Sequence, residues 1–140
     1  MTLKITKFGG SSVAQASQFK KVKDIVLSDP DRRYVVVSAP GVRFANDPKI
    51  TDLLYLLDAH KKYHVDGSNI FNLIKERFVE IKETLGLQQN IEKELDDFYA
   101  NLNKYSQSYI ASRGEYFCAK LMAEYLGYPF VYAADVIRLN

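Results

Sequence analysis

KITKFGGSSVAQASQFKKV, residues Lys4 to Val22, decides how this chain begins to fold. Lys4 to Phe8 is a short candidate strand, and Gly9-Gly10-Ser11-Ser12 is a turn. From Ala14 to Leu27 the apolar residues Phe19, Val22, Ile25 and Val26 recur at helical spacing. A strand that turns into a helix leaves backbone N–H groups at the positive end of the helix dipole, which favours an anion. Gly9 and Gly10 let the backbone approach a phosphate with no Cβ in the way. Ser11 and Ser12 either cap the helix or donate to phosphate oxygens. Lys7 stands at the carboxyl end of the strand, the edge at which open α/β sheets bind ligands. Two common phosphate loops are excluded by spacing, because the chain has neither GxxxxGK[ST] nor GxGxxG. On the residues alone, a tight turn with a serine cap and a surface lysine remains an equal reading.

Outward from this stretch, SDPDRR breaks the helix, since proline and its predecessor both resist helical geometry. YVVVSAPG, Tyr34 to Gly41, is a β-branched run that suits a strand buried on both faces of a parallel sheet. Strand, helix and strand make a βαβ unit with a right-handed crossover. After the polar loop VRFANDP, a helix beginning near Asp47-Pro48 or Thr51 buries Ile50, Leu53, Leu54 and Leu57. The middle third carries no β run. Ile70, Leu73, Ile74, Phe78, Ile81 and Leu85 form one helical stripe, and Ile91, Leu95, Phe98, Leu102, Tyr105 and Tyr109 form another. These predict a helical hairpin inserted at about 66–110. A further helix runs from Gly114 and stops at Gly127, as helices commonly do, and a strand is expected over Phe130 to Ala133. Asn140 follows an apolar stretch with no polar tail, so the sequence is expected to be cut from something longer.

Composition bounds the function. The chain has 140 residues, 47% apolar and 26% charged, which is ordinary for one globular domain. A net charge of +2, with Lys and Arg scattered, gives no electrostatic footprint for nucleic acid. The N-terminus lacks the apolar core of a signal peptide. No apolar run approaches the roughly 20 residues of a membrane helix. The single cysteine, Cys118, fits a reducing cytoplasm and lies on an apolar stripe, so it reads as core. His60 and His64 have i, i+4 spacing, which two metal ligands use, but DAHKKYHVDG offers no acidic or cysteine partner at a recognised spacing. No metal ligand is assigned. Tyr99, Tyr105 and Tyr109 are read as packing in the helical hairpin.

ITKFGGSSV, Ile5 to Val13, resembles the signature of aspartate kinases, within the amino-acid kinase family. That pattern is an aliphatic residue, any residue, Lys, an aromatic, Gly-Gly, Ser or Thr, a small residue and an aliphatic; every fixed position is met. Acetylglutamate, glutamate and uridylate kinases share the lysine and glycines but usually lack the Phe8 and Ser-Ser-Val context. VVVSAPG with the later Thr51-Asp52 pair resembles the family's second strand and loop. SRGEYFCAKLMAEYLG resembles its Gly-Glu helix, and VYAADVI resembles the segment after it. There Ala133-Ala134-Asp135 departs from the usual Asp-Ala-Arg.

The resemblance implies a three-layer αβα sandwich of the amino-acid kinase type, with a mostly parallel central sheet, here truncated. Residues 1–140 would be the N-terminal portion of the catalytic domain, without the nucleotide-binding half and the regulatory domains. The implied activity is transfer of the ATP γ-phosphoryl, with Mg²⁺, to the β-carboxylate of aspartate. The product is 4-phospho-L-aspartate, the opening step of lysine, threonine and methionine biosynthesis. By the same resemblance Lys7 is catalytic and binds phosphoryl oxygens together with Gly9, Gly10 and Ser11. Glu115 takes the substrate ammonium, and Ser38 and Thr51 donate to carboxylate oxygens. The implied setting is a cytoplasmic homo-oligomer with small-molecule substrates, no nucleic acid and no membrane. Plainer readings stand beside these: Ser38 ends a strand, Thr51 and Asp52 start a helix, and Glu115 sits in a helix's first turn, favoured by the dipole. The alternatives at the level of function are another amino-acid kinase and a non-catalytic regulatory module.

Overall fold

In a computed structural model, which describes residues 2–132, the chain has the α/β fold that the opening stretch predicts. Strand β1, Lys4–Phe8, pairs in parallel with β2, Arg32–Val37, in a register that sets Lys7 opposite Val36 and Phe8 opposite Val37. The crossover is α1, Ala16–Leu27. Beyond β2 come α2, Ile50–Lys62; α3, Ser68–Leu85; α4, Ile91–Ala100; and α5, Gln107–Leu126. Both α1 and α5 pack on β2, and α2 packs along α5.

One continuous core joins these elements. Phe19, Val22 and Val26 of α1 meet Ile74 and Phe78 of α3 and Leu121 and Met122 of α5, each at most 2% exposed. Helices in proteins owe most of their stability to such packing of an apolar face. Cys118 lies fully buried within it, as expected. Tyr99 stacks on Phe71 with ring centroids 4.4 Å apart, and Tyr105 pairs with Tyr109 at 4.4 Å. The tyrosines of the middle third are therefore packing residues, as the sequence suggested.

Several expectations need correction. Ile25 and Leu73 are 45% and 46% exposed, although both belong to apolar stripes of helical spacing. Ile25 lies on the far side of Val22 from Phe19 and Val26, and Leu73 lies one residue round from Ile74, so each falls at the edge of its helix's inward arc. β2 is not buried on both faces: Tyr34 and Val36 are exposed while Val37 is buried. The second middle stripe is not one helix. It is split between α4, a 3-10 turn at Leu102–Lys104 and the beginning of α5. The break is chemical, because Ser106 accepts a hydrogen bond on Oγ from the Tyr109 N–H at 3.1 Å and so caps a new helix. α5 therefore starts at Gln107 rather than Gly114. No strand forms over Phe130–Tyr132, and the remainder of that expected strand, with the Ala133-Ala134-Asp135 segment, lies outside the described residues. His64 has a left-handed backbone (φ 57°) beyond the end of α2, so it does not share a helix face with His60.

Candidate functional site

The glycine-rich turn is not a direct entry into a long helix. Gly10–Val13 forms a separate 3-10 turn, closed by Ser12 N–H donating to Gly9 carbonyl at 3.0 Å, and α1 starts only after Gln15. Neither Ser11 nor Ser12 caps a helix through its side chain. Ser11 is exposed, and a Cβ on Gly9 would meet nothing within 4 Å, so this side of the turn opens outward. Lys7 is exposed at the carboxyl end of β1, two residues before that opening.

Gly10 has a packing duty that its place in the sequence does not announce. A Cβ there would come within 3.0 Å of Ala39 carbonyl oxygen and 3.3 Å of Gly41 Cα. Gly41 is tighter still: its Cβ would lie 2.7 Å from the Gly10 carbonyl carbon, while its N–H donates to Gly10 carbonyl oxygen at 2.9 Å. Two glycines facing each other let the loop after β2 lie directly on the loop after β1. Ser38 N–H donates to Phe8 carbonyl at 3.0 Å and extends the strand pairing by one residue, which keeps Ser38 beside the glycine turn. Its reading as a strand-ending residue is thus satisfied.

The same loop also receives α2 and α5. Ile50 N–H, at the start of α2, donates to Pro40 carbonyl at 3.1 Å. Thr51, partly buried, and Asp52 occupy the first turn of α2, as expected for helix-start residues. A Cβ on Gly114 would lie 2.7 Å from Ala39 Cβ and 3.1 Å from an Ile50 methyl, so α5 approaches closely only because residue 114 has no side chain. Glu115 follows it, exposed. Because α5 begins at Gln107, Glu115 sits more than two turns inside the helix, and the first-turn explanation for its charge fails. Burial, with Glu115 nearby, pushes the Cys118 thiol up, so this cysteine is no thiolate nucleophile.

The residues marked from sequence therefore gather into two neighbouring groups. Lys7, Gly9 and Ser11 are exposed at the turn, with Gly10 packed on the next loop; Ser38, Thr51 and Glu115 sit on the three segments that meet at Ala39–Gly41. A curated relative from Bacillus subtilis (strain 168), named Aspartokinase 3, is 42% identical over 144 residues, covering 96% of this chain. The crystal structure of Clostridium acetobutylicum aspartate kinase superposes with a TM-score of 0.88 at 44% identity over 91% of the chain. This chain aligns with one segment of these aspartokinases. That of E. coli aspartokinase III in complex with aspartate and ADP has a TM-score of 0.68 at 27% identity over 89%. The chain spans 31% of the Bacillus relative's length and 29% to 30% of these two structures' chains. No protein-family model matches the sequence.

Within this aspartokinase-like segment, one polar cluster went unmarked in the sequence. Arg77 of α3 is only 5% exposed, and Asp47 is 7% exposed. Asp47 Oδ2 accepts from Arg43 N–H and Nε, each at 2.9 Å, and Oδ1 accepts from Arg43 Nη2 at 3.0 Å. These bonds, with the Arg77 charge at 3.6 Å, hold the Asp47 carboxyl down at about 2 against the opposing effect of burial. Asn46, with φ 67°, makes the turn that brings Asp47 back to Arg43. The signal for Arg77 was present: it lies three residues after Ile74 and four before Ile81, on the buried stripe, where an arginine requires partners.

A pH dependence follows from Asp47. Its pKa is depressed on folding, so its contribution to stability is fully present above about pH 4, the ordinary carboxylate value. That contribution is lost as pH falls toward 2. Denaturation midpoints should show Asp47→Asn less stable than wild type at pH 7, with the gap closing as pH falls to about 2. A gap that stayed constant from pH 7 to 2 would contradict this account of the loop.

Proposed function

We propose that this chain is the amino-acid-binding and phosphoryl-binding part of an aspartate kinase, acting within a longer protein on ATP and L-aspartate. The observation that supports the reading is the glycine-to-glycine approach of the two post-strand loops, with Ser38 bonded to the end of β1 and Gly114 packed on Ala39 and Ile50. An acyl phosphate forms when the γ-phosphoryl of ATP passes to the β-carboxylate of aspartate, and the chemistry needs no covalent enzyme intermediate. Catalysis is then positioning plus neutralisation of charge on the transferring group. Lys7 meets the phosphoryl oxygens as charge develops on them. N–H groups of Gly9 and Gly10 and the Ser11 hydroxyl add donors around the opening. Ser38 and Thr51 donate to the substrate's carboxylates.

Mg²⁺ would accompany the nucleotide, held largely by phosphate oxygens. Among the described residues no group of three His, Cys, Asp or Glu converges, and no residue of this chain is assigned to the ion. The setting we propose is a cytoplasmic homo-oligomer acting on small molecules, without nucleic acid or membrane. Among the described residues no helix is long and apolar enough to cross a membrane.

Glu115 decides which end of the substrate is held where. Its carboxylate is exposed, has no ion-pair partner among the described residues and suits the aspartate ammonium. Glu115→Gln keeps the shape but removes the charge. Since a hydrogen bond to a charged group is worth about 1.5–3 kcal/mol, KM for aspartate should rise at least about tenfold, with KM for ATP nearly unchanged. Steady-state kinetics of the full-length protein check this, and a larger change for ATP would move the amino acid elsewhere.

A further inference from the structure

The Arg77 guanidinium grips three backbone carbonyls, one just after the glycine turn and two in the loop between β2 and α2. Nη2 donates to Gly41 carbonyl at 2.6 Å and to Ala14 carbonyl at 3.1 Å, and Nη1 donates to Pro48 carbonyl at 2.9 Å. Ala14 directly follows the Gly10–Val13 turn. Gly41 is the residue that lies on Gly10. Pro48 ends the loop that leads into α2 and Thr51. The segments that carry the proposed phosphoryl and amino-acid groups are thus joined by one side chain, and that side chain comes from the helical pair α3–α4. A planar guanidinium presents these donors from two separate nitrogens in a fixed fork, whereas an ammonium would have to serve all three acceptors from one nitrogen.

The charge is arranged for the same end. A core arginine costs much unless paired, yet its carboxylate neighbour, Asp47, is fully engaged by Arg43 and stands 3.6 Å away. Arg77 Nε has no partner among the described residues. The guanidinium is therefore spent on carbonyls, with Asp47 supplying compensating charge beside it. These bonds satisfy the buried donors and, in the same act, tie the residue after the glycine turn to the loop between β2 and α2.

We propose that Arg77 is a positioning residue of the proposed site: it fixes the spacing between the glycine turn and the 38–48 loop, so that α3 sets the geometry in which phosphoryl group and amino acid meet. This inference rests on the reading given under Proposed function. Arg77 touches neither substrate; it acts through the loops that do.

Two substitutions in the full-length protein test it. Arg77→Met keeps the buried stem without the fork, and Arg77→Lys keeps stem and charge with donors from a single nitrogen. For each, KM and kcat with ATP and aspartate are measured together with amide hydrogen exchange over residues 10–14 and 38–50. The expected result is faster exchange in both loops, KM for aspartate raised at least about tenfold and kcat lowered, with KM for ATP changed less than threefold. A purely structural role would lower thermal stability and leave the KM of the folded fraction unchanged. If Arg77→Met does not fold, Arg77→Lys carries the comparison. A folded variant with wild-type exchange in both loops, or with wild-type KM for aspartate, overturns the inference while leaving the kinase reading intact. Loops loosened in the variants of a wild-type protein that forms no aspartyl phosphate would instead keep the clamp and remove the kinase reading.

Discussion

Lys7→Ala in the full-length protein is expected to lower kcat by about 10²–10³-fold, the usual consequence of removing one group that meets charge developing in the transition state. The lysine is exposed at the end of β1, next to a turn whose Gly9 side is open, so an anion can reach it without rearrangement. Its effect should fall on kcat more than on aspartate affinity, because the interaction strengthens as charge builds on the transferring phosphoryl group. Lys7→Arg is a useful companion: it retains charge but replaces a compact ammonium by a broad fork, and it should recover little. Unchanged kcat in a coupled ATP/aspartate assay would remove Lys7 from the mechanism.

Gly41→Ala is the second substitution with a large expected effect. The new methyl would sit 2.7 Å from the Gly10 carbonyl carbon and 3.0 Å from Ser11 N, both backbone atoms that no rotamer change can move aside. Either the loop after β2 or the glycine turn must shift. Overpacking of this kind typically costs about 1–3 kcal/mol of stability. The larger consequence is catalytic, since displacing a reacting group by about 1 Å can cost roughly 10²-fold in rate. Thermal unfolding together with kcat/KM for both substrates would show the split. Gly9→Ala, where a Cβ meets nothing within 4 Å, should leave stability nearly unchanged and serves as the control for this geometry. Equal stability loss in both variants would contradict the close approach of the loops.

The first strand–helix–strand unit was legible because its signals are local. A Gly-Gly turn, helical spacing and a β-branched run are readable over a few residues, and they place β1, α1 and β2 to within a few residues at each end. Errors arose where tertiary contacts decide. Tyr34 and Val36 are β-branched or aromatic and so favour a strand, but no local pattern tells how many faces of that strand will be covered. The start of α5 was misplaced because the apolar stripe continues from Leu102 into Tyr105 and Tyr109, masking the cap at Ser106.

Site residues divide in the same manner. Lys7, Gly9, Gly10 and Ser11 were legible as a group because they are contiguous. Ser38, Thr51 and Glu115 were named through resemblance, and their common surroundings become visible only once Gly41 and Gly114 bring their segments together. Gly10 makes room for Gly41, a contact no sequence window contains. Arg77 was hidden by its setting, since a charge inside an apolar stripe announces that it has partners without saying which backbone segments supply them.

Trapping of the acyl phosphate tests the central claim most directly. Full-length protein carrying these residues is incubated with ATP, Mg²⁺ and L-aspartate in the presence of hydroxylamine, which converts an aspartyl phosphate to its hydroxamate. The account predicts hydroxamate that depends on both ATP and aspartate, with the Lys7→Ala protein forming it at least about 10²-fold more slowly. Absence of hydroxamate from the folded wild-type protein, or formation at an undiminished rate by Lys7→Ala, would contradict it.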